Sequence, residues 1–222
     1  MPRGYDARSR RERGATSRLE TRRRVLVAAR ELFLARGYAA TTVADIARAA
    51  GVAAATIYAT PLTKRQVLLA IRDIDLAGND DPVPLIEQSW TAEVAEEPDP
   101  ERQLARWVHH QCLITDRAEP IIDVLRQAAA VDPQLAADYA EDQRRRYVTQ
   151  SAMVALLTRW QPRPEHAGSV ADALWTLISP LTYQQLRTER GWTGDEIEQW
   201  LVHLMRTAVF VPKGEAAGPG SS

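Results

Sequence analysis

The chain has 222 residues, with 28 Lys and Arg against 29 Asp and Glu, a formal net charge of −1. That length suits one sizeable core or a small head on a larger body. No apolar run is long enough to cross a bilayer, and no apolar stretch follows the Arg-rich start as it would in a secretory leader. Cys112 is the only cysteine, which excludes an intrachain disulfide and fits a cytoplasmic protein. The near-neutral total hides an asymmetry: residues 1–64 hold 13 Lys and Arg against 5 Asp and Glu, a net +8, while the remainder is −9. A basic head on an acidic body suits a polyanion bound at one end.

Residues 1–16 place Arg3, Arg8, Arg10, Arg11 and Arg13 among Gly, Ser and Asp without apolar periodicity, and are expected to form a disordered basic arm. Arms of this kind lie along phosphates or enter a minor groove. The first helix is expected from about Ser17 to Arg36, with Val25, Ala28, Ala29, Leu32 and Phe33 inward and Gly37 as its stop. Tyr38 is then placed to pack over the core of the head. Thr42-Val43-Ala44-Asp45 has the form of a capping box. Val43, Ile46, Ala47 and Ala50 repeat at helical spacing, and Gly51 closes that helix in a left-handed turn. A second short helix is expected from Ala53 to about Thr60, contributing Ile57 to the core, with Val52 just ahead of it. Two short helices across a Gly-containing turn are the form of a helix-turn-helix.

The stretch TTVADIARAAGVAAATIYATPLTK, Thr41 to Lys64, resembles the DNA-binding head of the TetR family of bacterial transcriptional regulators. The matching positions are Thr41, Thr42, Val43, Ile46, Ala47, Ala50, Gly51, Val52, Thr56, Tyr58, Lys64 and Leu68. Two positions depart from the family pattern. Ala53 stands where Ser or Thr is usual, which removes a capping hydroxyl. Pro61 stands where Phe is usual, and it disfavours helical geometry at Thr60. The resemblance implies a three-helix head over 17–63 that binds double-stranded operator DNA. Phosphate contacts are expected from Thr42, Arg48, Tyr58 and Lys64. Base reading is expected from Ala54, Ala55, Thr56, Ala59 and Thr60, whose small apolar surfaces suit thymine methyls.

The body, 64–211, reads as helical throughout. A connecting helix from about Lys64 to Leu76 turns Val67, Leu68, Ile71 and Ile74 inward, with Thr63 and Gln66 as its capping box. Further helices are expected over Glu101–Asp116, from Pro120 onward, and from Asp132-Pro133 to a stop at Pro162-Arg163-Pro164. Two more are expected over about His166–Arg190, kinked at Pro180, and Gly194–Val209. Residues 212–222 read as a flexible tail. No strand is expected, so the fold class is all-α, with the three-helix head followed by a larger ligand-binding and dimerisation domain.

The last two helices resemble the dimer-forming pair of the family. That resemblance implies a homodimer joined through Leu174, Ile178, Trp192, Ile197, Trp200, Leu201, Leu204 and Met205. Trp90, Trp107 and Trp175 fall where family members enclose a ligand. His109, Gln111, Cys112, Thr115 and Gln127 are the polar candidates beside them for an unknown small-molecule effector, apolar or aromatic. The triplet His109, His110 and Cys112 lacks the companion ligands a zinc site needs, and no nucleophile motif or phosphate-binding loop is present. The reading is a ligand-responsive repressor with no catalytic residues, no metal, no cofactor and no membrane partner. A helical carrier or enzyme that has lost specific DNA binding is the alternative, motivated by Ala53 and Pro61. A sequence-tolerant architectural protein is a further rival.

Overall fold

The computed structural model describes residues 4–53, 57, 63–79, 87–158 and 167–210. The described residues are all helical or connecting, without a strand: α1 (Gly4–Arg36), α2 (Val43–Ala50), α3 (Lys64–Ala77), α4 (Ser89–Glu96), α5 (Pro100–Ala129), α6 (Pro133–Thr158), α7 (Ala167–Leu177), α8 (Pro180–Gln184) and α9 (Gly194–Val209). No helix among them is long and apolar enough to cross a membrane. The C-terminal tail and Pro162-Arg163-Pro164 lie outside the described residues.

Three of these boundaries depart from the sequence reading. α1 begins at Gly4 rather than Ser17. Arg8 to Arg13 are mostly straight-chain residues with good helix propensity, which the weight given to their charge concealed. α5 is one helix of 30 residues that runs through Pro120 instead of restarting there. Pro120 removes a single backbone donor, and packing on both sides of it keeps the helix continuous. At Pro180 the expected kink is a full break. Ser179 Oγ accepts from the Thr182 N–H at 3.0 Å, and Pro180 takes the first turn of a new helix, where its missing N–H costs nothing. α8 then widens into a π turn over Gln185–Glu189.

Two cores organise these helices. The first gathers Val25, Ala29 and Phe33 of α1, Ile46 and Ala50 of α2, Ile57, and Val67, Leu68 and Ile71 of α3. It extends onto Ile121, Val124 and Leu125 of α5 and Leu135 of α6. The second gathers Val94 of α4, Leu104, Trp107, Val108 and Cys112 of α5, Val154 and Leu157 of α6, Leu174 and Ile178, Tyr183 of α8, and Ile197, Leu201 and Met205 of α9. Among the described residues the head thus has no core of its own. It shares one with the far half of α5, and Pro120 lies next to where α5 passes from one core to the other.

Candidate nucleic-acid interface

α2 is built as its sequence implies. Thr42 Oγ accepts from the Asp45 N–H at 3.1 Å, and the Asp45 carboxylate accepts from the Thr42 N–H at 3.2 Å and from its hydroxyl at 2.6 Å. The Thr42 hydroxyl and N–H, with Arg48, hold the Asp45 carboxyl below its ordinary range. The box therefore stays intact from neutral pH down through the ordinary carboxylate pKa and is lost only in stronger acid. At the other end Gly51 sits at φ 63°, where a side chain would be strained, and its N–H closes onto the carbonyls of Ala47 and Arg48.

The sequence reading missed Arg24. Its guanidinium reaches from α1 to donate to the carbonyls of Ala50 and Gly51, at 2.5 and 2.8 Å, satisfying acceptors that the end of α2 leaves open. A side chain 26 residues away gives no local signal in the sequence. The contact fixes α1 against the turn at Gly51.

Of the expected DNA contacts among the described residues, Arg48 is the most available. Its side chain is 76 % exposed and bonds to Asp45 at 2.9 Å, an exposed pair of small worth that a phosphate can displace. Thr42 is exposed, with its hydroxyl engaged in the cap. Lys64 is more restrained: Nζ donates to the Tyr38 carbonyl at 3.0 Å and sits 4.0 Å from the centre of that ring. Partial burial lowers its pKa. Ala54, Ala55, Thr56, Tyr58, Ala59, Thr60 and Pro61 lie outside the described residues, whereas Ile57 is fully buried in the head core.

Residues 25–71, from the inward face of α1 to the middle of α3, match the model of the family described as bacterial regulatory proteins, tetR family. The head is that of the TetR family. The fold agrees over most of its length. A candidate transcriptional regulator from Saccharomonospora viridis, solved in complex with choline, is 26 % identical, with 85 % of this chain and 96 % of that one covered and a TM-score of 0.65. NalD, the secondary repressor of the MexAB-OprM multidrug efflux pump in Pseudomonas aeruginosa, is 23 % identical, with 89 % and 100 % covered and the same TM-score of 0.65. A TerR/AcrR-family regulator from Aquifex aeolicus is 16 % identical, covering 84 % and 98 %, with a TM-score of 0.61. No curated protein sequence matches the chain.

The body that follows this TetR-family head does not bring the expected ligand residues together. Trp107 is 1 % exposed and packed into the second core. Trp107→Ala should therefore cost about 3–5 kcal/mol by leaving a cavity. Urea unfolding would measure it, and a loss under 1 kcal/mol would contradict that burial. Trp90 donates to Gln88 and stacks on His110 with ring centres 4.7 Å apart. His109 Nδ1 lies 2.9 Å from Glu198, tying α5 to α9 at the surface. Gln111 is half-buried, Thr115 is buried, and Gln127 is exposed with its amide on Asp123. Cys112 is buried, which pushes its thiol up to about 12. It should resist iodoacetamide in the folded chain at mildly alkaline pH and react once the chain is unfolded in urea; equal rates would refute its burial.

Trp175 alone of that set lines a cleft. This space of about 320 Å³ is walled by Glu119 and Asp123 of α5, Tyr139 and Gln143 of α6, Trp175 of α7 and Leu181 of α8, with others between. Behind Trp175, the Arg146 guanidinium covers the ring at 4.7 Å and donates to the Trp175 carbonyl at the end of α7. Burial lowers its pKa to about 10, so it stays charged at neutral pH. Further along α6, Gln150 is 1 % exposed, yet neither of its amide atoms has a partner among the described residues. Unpaired buried amides are costly and rare, so this one marks polar demand inside the body.

The expected dimer residues also divide. Leu174, Ile178, Ile197, Leu201 and Met205 are buried within the chain's own second core, so they are not surface for a second subunit. α9 carries large apolar residues on two sides, and the sequence reading merged them. Trp192, Trp200 and Leu204 keep partial exposure, and the two tryptophans meet edge to face with ring centres 5.7 Å apart.

Proposed function

We propose that this TetR-family regulator is a cytoplasmic repressor that binds a pseudo-palindromic operator as a homodimer and releases it when a small apolar or aromatic effector enters the body. The observation that carries the reading is the head: a capped α2, a left-handed Gly51, a buried Ile57 after it and an exposed Arg48, all within a segment of net charge +8. Two recognition segments would then sit about one helical turn apart, roughly 34–36 Å. That the relative from Saccharomonospora viridis was solved in complex with choline supports a small-molecule effector.

The cleft is well placed for such an effector. Its wall residues Tyr139 and Gln143 each follow a carboxylate that holds α3. Asp138 accepts two hydrogen bonds of 2.6 Å from Arg65, and Asp142 accepts from Arg72 at 2.7 and 2.8 Å. A ligand that shifts α6 would pull on α3, which follows the recognition segment within a few residues. Such a ligand must bind the two settings of α3 with different affinity, typically by about 1–3 kcal/mol.

Selection from a random duplex library followed by mobility shift tests the reading. A consensus of two related half-sites is expected. Lys64→Ala should weaken binding to all sequences alike and make the salt slope shallower by about 1. Thr56→Ala should change preference among operator variants. A library that yields no consensus would favour the carrier reading, for which Ala53 and Pro61 are the motive.

A further inference from the structure

Upstream of the head, α1 keeps its register but changes chemistry. Val25 is the first buried residue among the described side chains of α1, and those before it, Thr16 to Arg24, are exposed except for a half-buried Thr21. The backbone is nevertheless helical back to Gly4, about 30 Å of helix at 1.5 Å per residue. Over residues 4–24 there are 8 arginines against Asp6, Glu12 and Glu20, a net +5. These charges are not spread evenly. Steps of three and four residues link Arg8, Arg11, Ala15, Arg18 and Arg22 into one stripe, which continues directly into Val25, Ala29 and Phe33. Asp6 and Glu20 fall on the opposite side at 100° per residue. The face of α1 that packs on the head therefore becomes arginine where the head ends. Its described arginines, Arg18 and Arg22, are exposed, and a face of this charge suits a polyanion lying alongside the head.

We propose that this stripe, Arg8, Arg11, Arg18 and Arg22, is a second DNA-binding surface that lies on the phosphates of duplex flanking the helix-turn-helix footprint. The inference rests on the reading of the head as a duplex-DNA binder. Duplex DNA is the favoured occupant because the stripe is continuous with that head. Arg24, two residues on from Arg22, holds α1 to the carbonyls of Ala50 and Gly51, at the turn that leads into the recognition segment. A rigid helical arm adds contacts along the backbone without reading bases, so it raises affinity for every sequence.

The test compares the full-length chain with two variants on a random-sequence duplex long enough to run past the head on both sides. One variant replaces Arg8, Arg11, Arg18 and Arg22 by Gln. The other replaces Arg10 and Arg13, which lie off the stripe, by Gln. The first should make the dependence of log affinity on log salt shallower by about 3, and the second should leave it close to the wild-type slope. A version with Lys at the four stripe positions should recover most of the slope, which a folding defect would not. Equal slopes for the wild type and the stripe variant would overturn the proposal. So would slopes reduced in proportion to charge in both Gln variants, or a loss of binding to phosphatidylglycerol vesicles with DNA binding unchanged. The regulator reading is judged separately. A wild type that selects no sequence from a library sinks that reading while the slopes still decide the arm.

Discussion

Replacing Trp200 with glutamate is expected to turn the chain into a monomer and to weaken binding to its selected duplex by on the order of 100-fold, the loss that follows when two linked sites become one. α9 sends Ile197, Leu201, Met205 and Val209 into its own subunit at intervals of four. Trp200 and Leu204 lie on another side, also four apart, with Trp192 packed edge to face against Trp200 beside Glu196, Gln199 and His203. A helix with a second apolar side needs a second cover, and a partner subunit supplies it in the proposed assembly. Glutamate there would bury a charge without a counter-ion. Leu204→Glu should act in the same way, whereas Leu201→Glu should unfold the chain, since Leu201 is core. Light scattering reads the assembly and mobility shift reads the affinity. A Trp200→Glu chain that remains fully dimeric would remove α9 from the interface.

The distinction between Leu201 and Leu204 shows where sequence reading stops. The periodicity of α9 placed both on a helix, and its capping box at Thr193 and Glu196 fixed where that helix begins. Periodicity does not say which of two apolar sides meets the subunit's own core. That depends on the helices packed beside it. The head was more legible because its signals are local. Thr42 with Asp45, Gly51 and Gly37 act within one turn of themselves, and Phe33 meets Tyr38 with ring centres 5.6 Å apart, as their placement suggested. Arg24 on Ala50, Arg117 on the carbonyls that end α3, and Arg146 on those that end α7 span 26, 41 and 29 residues respectively. Nothing nearby in the sequence announces them. The same holds for the cleft. Tryptophans were the visible candidates for its wall, yet only Trp175 lines it. Glu119, Tyr139 and Gln143 join it because α5, α6 and α7 pack side by side.

Replacing Arg72 with methionine is expected to cost about 3–5 kcal/mol, as breaking one half of a buried ion pair does. Arg72 is 7 % exposed on α3, and its guanidinium donates to Asp142 of α6 at 2.7 and 2.8 Å and to the neighbouring Asp73 at 2.7 Å. Burial alone would lower its pKa, but the two carboxylates outweigh burial and raise it, so Arg72 stays charged across the accessible pH range. With methionine there, Asp142 would be left half-enclosed without its cation. Replacing Asp142 with leucine as well should restore most of the lost stability, because an apolar pair of similar size avoids the desolvation that the ion pair must overcome. Thermal or urea unfolding of the two variants measures both steps. The double variant also separates packing from signalling. It keeps α3 against α6 through apolar contact but drops the directional hydrogen bonds that register one helix on the other. In that chain a compound that quenches tryptophan fluorescence in the body should still bind, while its effect on operator affinity should shrink from the roughly 1–3 kcal/mol typical of such coupling toward zero. Undiminished coupling in the double variant would mean that the signal reaches the head by another route. The remaining physical path is along α5, whose Ile121 and Leu125 sit in the core that the head shares.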